Sequence, residues 1–556
     1  MDIAIRIREA LAQALHTLGI EVAAADIPLE FPADLGHGDY ATSIALAKAK
    51  EASMASRMLA ERIVEALGEV RGVAQIEIAG PGFINFALTP EAIFETVVLA
   101  RSEGWGKGNM YINKQMVFEY TDPNPFKAFH IGHLMSNTIG EALSRAAAYQ
   151  TADVVRANYQ GDVGVHVACA IWGIKKLGIH PASADEFGRA YAEGATAYKT
   201  DEYVKAEIDA INQKLYDRSD AALNDLYDTG RKESLATFEK IYAILGTTFD
   251  RYYFESETAP IGKEIVLARP DIFFESEGAR VFKGEEYGLH TRVFLSSKGL
   301  PTYEAKELGL EKIKDDEYPG AAAFVIVTAN EVTDYFRVVK KAMELVYPNI
   351  AQKLTHIAHG MMKLPTGKMS SRTGDVITGE SLLKDLSEAA HERAKESRAD
   401  DAALLAQQVA VAAIKFQILK QTTSKDIIFD REQALSLEGD SGPYLQYTYA
   451  RTRAIAHKAS EAGVAPQIHV GAEPNTVARL LVRFPAVCER AAREYAPHHV
   501  AQYLLELAGT FNSWYAQEHI LDGTSAAEHK LALTEAVGST LKSGLWLLGI
   551  PAPEKM

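Results

Sequence analysis

The stretch from Gln115 to Tyr159 constrains the fold most. "QMVFEYT" (Gln115–Thr121) is dense in β-branched and aromatic residues and reads as a strand. "DPNPFKAF" follows, and its prolines forbid a continuous helix, so it is a loop. "HIGHLMSNTIGEALSRAAAYQ" then carries Ile131, Leu134, Ile139 and Leu143 on one helical face. "DVVRANY" (Asp153–Tyr159) is a second strand. Strand, loop, helix, strand is a βαβ unit, which demands a parallel sheet with a right-handed crossover. Further strand candidates are "ARVFKG", "RVFLSS" and "AAFVIVTA". Residues 185–245 form a charged amphipathic insertion, read as a solvated helical hairpin.

Three blocks follow from this. Residues 1–110 open with helical periodicity and end in the alternating strands "VAQIEIAG" and "FINFAL", a small α+β domain. "SEGWGKGN" (Ser102–Asn109) has the spaced glycines of a nucleotide loop but precedes a strand, so it reads as a linker. Residues 111–380 form the α/β block, a doubly wound, Rossmann-like parallel sheet. Residues 381–556 lose the strand pattern. Segments such as "AALLAQQVAVAAIKFQILK" and "HHVAQYLLELAGTFNSWYAQ" are successive amphipathic helices of an all-α bundle.

Composition excludes several classes. The chain has 556 residues and two cysteines, which rules out a disulfide framework and a four-cysteine zinc site. No structural zinc is expected. The net charge of -16 argues against a nonspecific coat on nucleic acid, though not against a local basic face for structured RNA. The charged N-terminal helix is not a signal peptide. No apolar run approaches bilayer length on this reading; "AAAFVIVTA" is strand-sized. The expectation is a cytoplasmic protein with no membrane partner.

His130 and His133 stand three apart at the start of the first crossover helix. As a metal pair they would need further ligands, and no H-E-x-x-H or cysteine cluster supplies them. As a phosphate site they are well placed. Free backbone N–H groups and the helix dipole favour anions there, and two imidazoles add donors. Gly132 between them leaves room for a base or ribose to approach. Far downstream, "LPTGKMSSRTGD" (Leu364–Asp375) is a glycine-flanked loop with Lys368, Ser370, Ser371 and Arg372, suited to clamp a pyrophosphate.

"HIGH" and "KMSS" in this order resemble the two signatures of class I aminoacyl-tRNA synthetases. "TDPNPFKAFHIGHLMSN", "NYQGDVG", "SLEGDSGPYLQYTYAR", the ending "LLGIPAPEKM" and, in the first block, "FPADLGHGDYATSIALAKAK" and "GPGFINFAL" resemble the arginyl-tRNA synthetases. The resemblance runs nearly end to end. It implies activation of arginine by ATP, with magnesium on the triphosphate, and transfer to tRNA(Arg) by a monomer. His130, His133, Lys368 and Lys127 fall on its catalytic positions. Gly132, Met369, Ser370 and Ser371 join the histidines and Lys368 around ATP. Asn124, Glu255, Tyr303, Glu307 and Asn330 fall on the arginine pocket. Carboxylates suit a guanidinium, a flat fork of donors that never deprotonates. The family usually has aspartate where Glu307 stands and commonly glutamine near Asn330. Phe83 and Asn85 match a pair that contacts the tRNA elbow, and Tyr444 and Arg451 are anticodon contacts.

Other readings are weaker. "EGDSGPYLQ" resembles a serine-protease nucleophile run, but its surroundings are helical. Ser441 and Pro443 read instead as a helix cap and a first-turn proline. A different class I synthetase would bring zinc cysteines or a large editing insertion. A small nucleotidyltransferase would lack the bundle. A silent tRNA-binding paralogue would not need His130, His133 and Lys368.

Overall fold

A computed structural model describes residues 3–32, 34–180, 184–363, 378–394, 399–469 and 471–556. Helix α1 (Ile3–Thr17) buries Ile3, Ile7, Leu11 and Leu15, an i, i+4 stripe. Then come β1 (Tyr40–Thr42), α2 (Ile44–Lys48), α3 (Ser56–Leu67), β2 (Val73–Ala79), β3 (Phe83–Leu88) and α4 (Pro90–Ala100). The three strands form an antiparallel sheet in the order β1-β3-β2. At the β2–β3 turn Gly82 has φ +133°, and a Cβ there would stand 2.8 Å from the Ser56 carbonyl oxygen, so only glycine fits.

The second unit holds β4 (Gln115–Glu119), α5 (Ile131–Tyr149), β5 (Asp153–Gln160), α6 (Val165–Leu177), α7 (Ala184–Thr200), α8 (Glu202–Asp217) and α9 (Ala221–Leu245). It continues with β6 (Arg251–Phe254), α10 (Glu255–Ala268), β7 (Phe273–Ser276), β8 (Ala279–Phe282), β9 (Arg292–Leu295) and α11 (Tyr303–Glu317). It ends with β10 (Ala323–Ala329), α12 (Thr333–Val346), α13 (Pro348–Lys353) and β11 (Leu354–His359). Five strands pair in parallel in the order β11-β10-β4-β5-β6. The chain builds outward from β4 in one direction and from β10 in the other. The switch point between them opens a crevice at the carboxyl ends of the strands.

Three expectations change here. "ARVFKG" and "RVFLSS" do not join the parallel sheet; with β7 they make a separate antiparallel sheet, β7-β8-β9. The insertion is three helices, not a solvated hairpin. Helices α7, α8 and α9 close with α6 around their own core, in which Phe126 of the signature loop packs against Phe187 and Tyr227. Most of their charged residues face outward while the apolar stripe is buried; Arg231 of α9 instead turns in toward Asp162. Finally, one apolar run does reach bilayer length by composition. It is α15 (Ala402–Leu419), preceded by the short β12 (Met362–Lys363) and by α14 (Gly379–Ala394). Its apolar side chains are packed inside the bundle, from Leu405 to Leu419.

The bundle continues with β13 (Ile427–Ile428), α16 (Arg431–Ala434), α17 (Gly442–Glu461), α18 (Thr476–Leu481), α19 (Phe484–Arg493), α20 (His498–Gln517) and α21 (Ala526–Leu547). Ser441 caps α17 as the sequence implies, its Oγ accepting the Tyr444 N–H at 3.1 Å with Pro443 in the first turn. The N-terminal unit rests on this bundle. Arg479 pairs with buried Asp39 at 2.7 Å and donates to the Leu35 carbonyl, and Arg101 meets Glu535 at 2.9 Å.

Helix α5 is buried along nearly its whole length and touches β10, α14, α15, α19 and α21. Midway along it, Glu141 accepts from Tyr120 at 2.6 Å and pairs with Arg145 and Arg156. Arg145 also donates to the carbonyls of Trp546 and Gly246. Beside it, buried Lys415 of α15 donates to the Leu245 carbonyl at 2.6 Å and the Gly549 carbonyl at 2.9 Å. The insertion, the crossover helix and the bundle are thus tied at one buried polar junction.

Candidate functional site

His130 is the N-cap of α5, and His133 is its third helical residue. The two form a reciprocal cap. The His130 N–H donates to His133 Nδ1 at 3.2 Å, and the His133 N–H donates to His130 Nδ1 at 3.4 Å. Each Nδ1 is therefore an acceptor, which leaves the ring proton on Nε2. The rings stack with centroids 3.5 Å apart. Desolvation and then Lys127 lower His130 to about 4. Burial, then His130 and Lys127, push His133 well below the ordinary imidazole range. Both rings are neutral Nε2–H donors at neutral pH. The space over Gly132 is taken by His130 itself, whose Cε1 would stand 2.9 Å from an added Cβ. The missing side chain thus makes room for the stacked pair.

The loop that delivers this cap is strained. Thr121, Asp122 and Phe126 have φ of 82°, 46° and 67°. Such values cost non-glycine residues energy and persist only where the surroundings over-determine them. Here the Thr121 N–H donates to Ser136 Oγ, the Tyr159 N–H to Asp122 Oδ1, and the Phe126 N–H to Ser234 Oγ. Lys127 leaves this loop beneath Tyr191 of α7, its ammonium 4.8 Å from the ring centroid. Burial lowers its pKa, partly offset by Glu255.

On the neighbouring strand ends, Gly161 touches two expected residues. A Cβ on it would collide with Asn124 Oδ1 and reach the Glu255 carboxyl carbon at 3.3 Å. Glu255 opens α10 directly after β6 and is fully enclosed. Its partner is one the sequence reading missed. Lys306 Nζ lies 2.5 Å from Glu255 Oε2, 5.2 Å from the Tyr303 ring centroid and 5.9 Å from that of Tyr216. Burial raises Glu255, and Lys306 opposes that rise. Lys306 is three residues after Tyr303 in "PTYEAKE", so helical spacing put it on the same face.

Asp162 of "NYQGDVG" was also given no role. Buried, it accepts from Tyr227 Oη, Ser256 N and Ser256 Oγ, and Arg231 lies 3.2 Å away. It ties α9 to the start of α10. Tyr303 is exposed at the pocket mouth, and its carbonyl accepts from Tyr335 at 3.1 Å. Glu307, one turn on, is buried, and its Oε1 has no hydrogen-bond partner among the described residues. Asn330 is exposed at the end of β10. The crevice thus brings together His130, Gly132, His133, Lys127, Asn124, Glu255, Tyr303 and Glu307, with Asn330 on its β10 side.

Lys368, Met369, Ser370 and Ser371 lie outside the described residues. The described residues that bracket them are Lys363 and Thr378, and Thr378 forms a β-bridge with His130. Phe83 and Asn85 are far from the crevice in sequence and fold. Phe83 is 37% exposed at the start of β3, whereas Asn85 is buried in mid-strand between Ala41 and Glu77. In the bundle, Asn512 Nδ2 donates to Tyr444 Oη at 3.0 Å, and its Oδ1 accepts from Arg451. The Arg451 guanidinium lies between Tyr447 and Tyr515, 4.9 and 5.1 Å from their centroids.

A switch-point crevice with a histidine-capped crossover helix, a carboxylate pocket beside it and a helical bundle behind defines the class I tRNA synthetases. Residues 97–431 match the model of the tRNA synthetases class I (R) catalytic domain, residues 5–88 the arginyl tRNA synthetase N terminal domain, and residues 445–556 the DALR anticodon binding domain. The arginine–tRNA ligase of Limosilactobacillus reuteri is 31% identical over 99% of both chains. That of Enterococcus faecalis is 30% identical, covering 99% of this chain and all of its own. The arginyl-tRNA synthetase of Thermus thermophilus superposes with a TM-score of 0.85 at 26% identity, over 99% of each chain. That of Plasmodium falciparum shares the fold at 0.81 and 20% identity, covering 100% of this chain and 99% of its own. The chain belongs to the arginyl-tRNA synthetase family.

Proposed function

We propose that the chain charges tRNA(Arg) with arginine in two steps. A carboxylate oxygen of arginine attacks the α-phosphorus of ATP in line. The new O–P bond forms as the bond to the bridging oxygen breaks, and the electron pair leaves with pyrophosphate. The terminal adenosine of the tRNA then takes the arginyl group from the adenylate, releasing AMP. The stacked histidine cap at the switch point carries this reading. Its two Nε2–H donors are fixed in tautomer and held neutral, so they meet charge developing on the phosphates without reorganising.

Around this cap the remaining roles follow. Lys127 and Lys368 bear on the phosphates, with Met369, Ser370 and Ser371 beside the nucleotide. Asn124, Glu255, Tyr303, Glu307 and Asn330 receive arginine. Phe83, Asn85, Tyr444 and Arg451 contact the tRNA. The half-exposed guanidinium stack at Arg451 supports an unpaired-base contact there. Magnesium enters with the ATP substrate. The three units divide as 1–110, 111–380 and 381–556, in a cytoplasmic monomer.

ATP–pyrophosphate exchange with each of the twenty amino acids, with and without total tRNA, tests the reading. Exchange with arginine alone is expected. Exchange with a different amino acid would overturn the pocket. Retained tRNA binding without any exchange would make the chain a silent binding module.

A further inference from the structure

Beneath the arginine pocket lies a cluster of charges that does not balance. Glu119 ends β4, and Glu307, Glu311 and Lys314 lie on consecutive turns of α11; all four are buried. Lys314 Nζ contacts Glu119 and sits 2.5 Å from Glu311 Oε1. One ammonium therefore pairs with two of the three carboxyls and leaves Glu307 without a cation in contact among the described residues. Among the described residues Glu307 Oε1 and Glu311 Oε2 have no hydrogen-bond partner, and both residues line a cavity of about 80 Å³. Asp122 adds a fourth carboxyl, which accepts from the Tyr159 N–H.

The other charged and titratable groups facing the cluster do not neutralise it. Lys340 of α12 donates to the Leu354 carbonyl, and Arg337 pairs with Asp334. His356 of β11 stacks on Phe336 and is held neutral by burial, its pKa lowered to about 4. Tyr335 and Tyr159 keep their protons, burial raising both. Glu304 and Asp315 of α11 add negative charge and pair with Arg292 and Lys353. Lys306 is committed to Glu255. Several carboxylates sharing one buried cation cannot all ionise. Burial and then Glu119 push Glu307 well up, and Glu311 reaches about 7.

We propose that arginine enters this pocket with the loss of about one proton from the Glu307–Glu311 carboxyls. Lys314 is their fixed counter-ion, and the guanidinium, always charged, supplies the missing cation at Glu307. The proton leaves to solvent. Charge balance assigns the guanidinium's compensating charge to the Glu307 cluster, because Glu255 is already neutralised by Lys306. The pocket is then selective for a permanent cation: a neutral isostere such as citrulline cannot expel the proton.

This rests on the arginine-ligase reading, and one experiment separates the two. Arginine is titrated calorimetrically into the enzyme, with saturating tRNA, at pH 7 in buffers of different ionisation enthalpy. The dependence of observed heat on buffer should report roughly half to one proton released, and affinity should tighten about three- to tenfold from pH 6 to pH 7. Glu311→Gln relieves the crowding and should abolish most of the release while arginine still binds. Arginine binding with no proton exchange and no pH dependence would overturn the inference and leave the functional reading intact. No arginine binding at all would overturn the functional reading, and the inference with it.

Discussion

Lys306 and Glu255 share one buried contact, and each is the other's main compensation. Replacing Lys306 with methionine keeps the packing and removes the cation. Glu255 must then take a proton or remain an uncompensated buried charge, at a cost of about 3–5 kcal/mol. Lys306→Met is expected to lower thermal stability and to raise the arginine KM at least about tenfold, with the ATP KM unchanged. Equal changes in the two KM values in steady-state kinetics would take the pair out of the arginine pocket. The histidines were legible because their chemistry and spacing are local. Lys306 was not, because its partner lies 51 positions away and only the fold joins them. Glu307 was legible as a carboxylate, but its crowding by Glu119 needed the approach of α11 to the end of β4, seen in the Lys314–Glu119 contact.

At the scale of elements, the insertion acts on the catalytic loop through contact. Gly230 of α9 lies against the Phe126 ring; a Cβ there would collide with Cε1 and stand 3.1 Å from Cζ. Alanine gains up to about 1 kcal/mol of helix propensity at such a site, while overpacking costs about 1–3 kcal/mol. The steric cost wins. Gly230→Ala is expected to displace the loop and slow single-turnover adenylate formation by about 10²-fold. An unchanged rate would mean that the insertion does not position the loop. The βαβ unit and the helical third block were readable from periodicity alone. The packing of the insertion was not, since amphipathic helices look alike whether their apolar stripe meets one neighbour or three. The β7-β8-β9 sheet escaped for a related reason. Short strands reveal their type but not their partners.

At the scale of the molecule, Lys415 joins the bundle to the insertion through the Leu245 carbonyl and also holds the bundle's own Gly549 carbonyl. Burial and then Arg145 lower it to about 7. In the unfolded chain it titrates near 10.4, as ordinary lysine does. Between those values the unfolded state holds more proton, so stability rises with pH by up to about 1.4 kcal/mol per unit. Below about 7 both states are protonated and the slope vanishes. Denaturant melts from pH 7 to 9 should show this rise in the parent protein and lack it in Lys415→Met. Parallel curves for the two proteins would refute a depressed lysine.

Helix α5 gives this junction a mechanical meaning. Its 19 residues make a rod about 28 Å long, clamped by Arg145 and Glu141 near its middle and carrying the histidine cap at its tip. A rod amplifies rotation. Tilting it by about 4° about that clamp, roughly 15 Å from the tip, sweeps the tip through roughly 1 Å, a displacement large enough to change a catalytic rate by about two orders of magnitude. A small adjustment where the bundle grips this lever would be felt as an on–off difference at the nucleotide, with no chain of intermediate side chains to relay it.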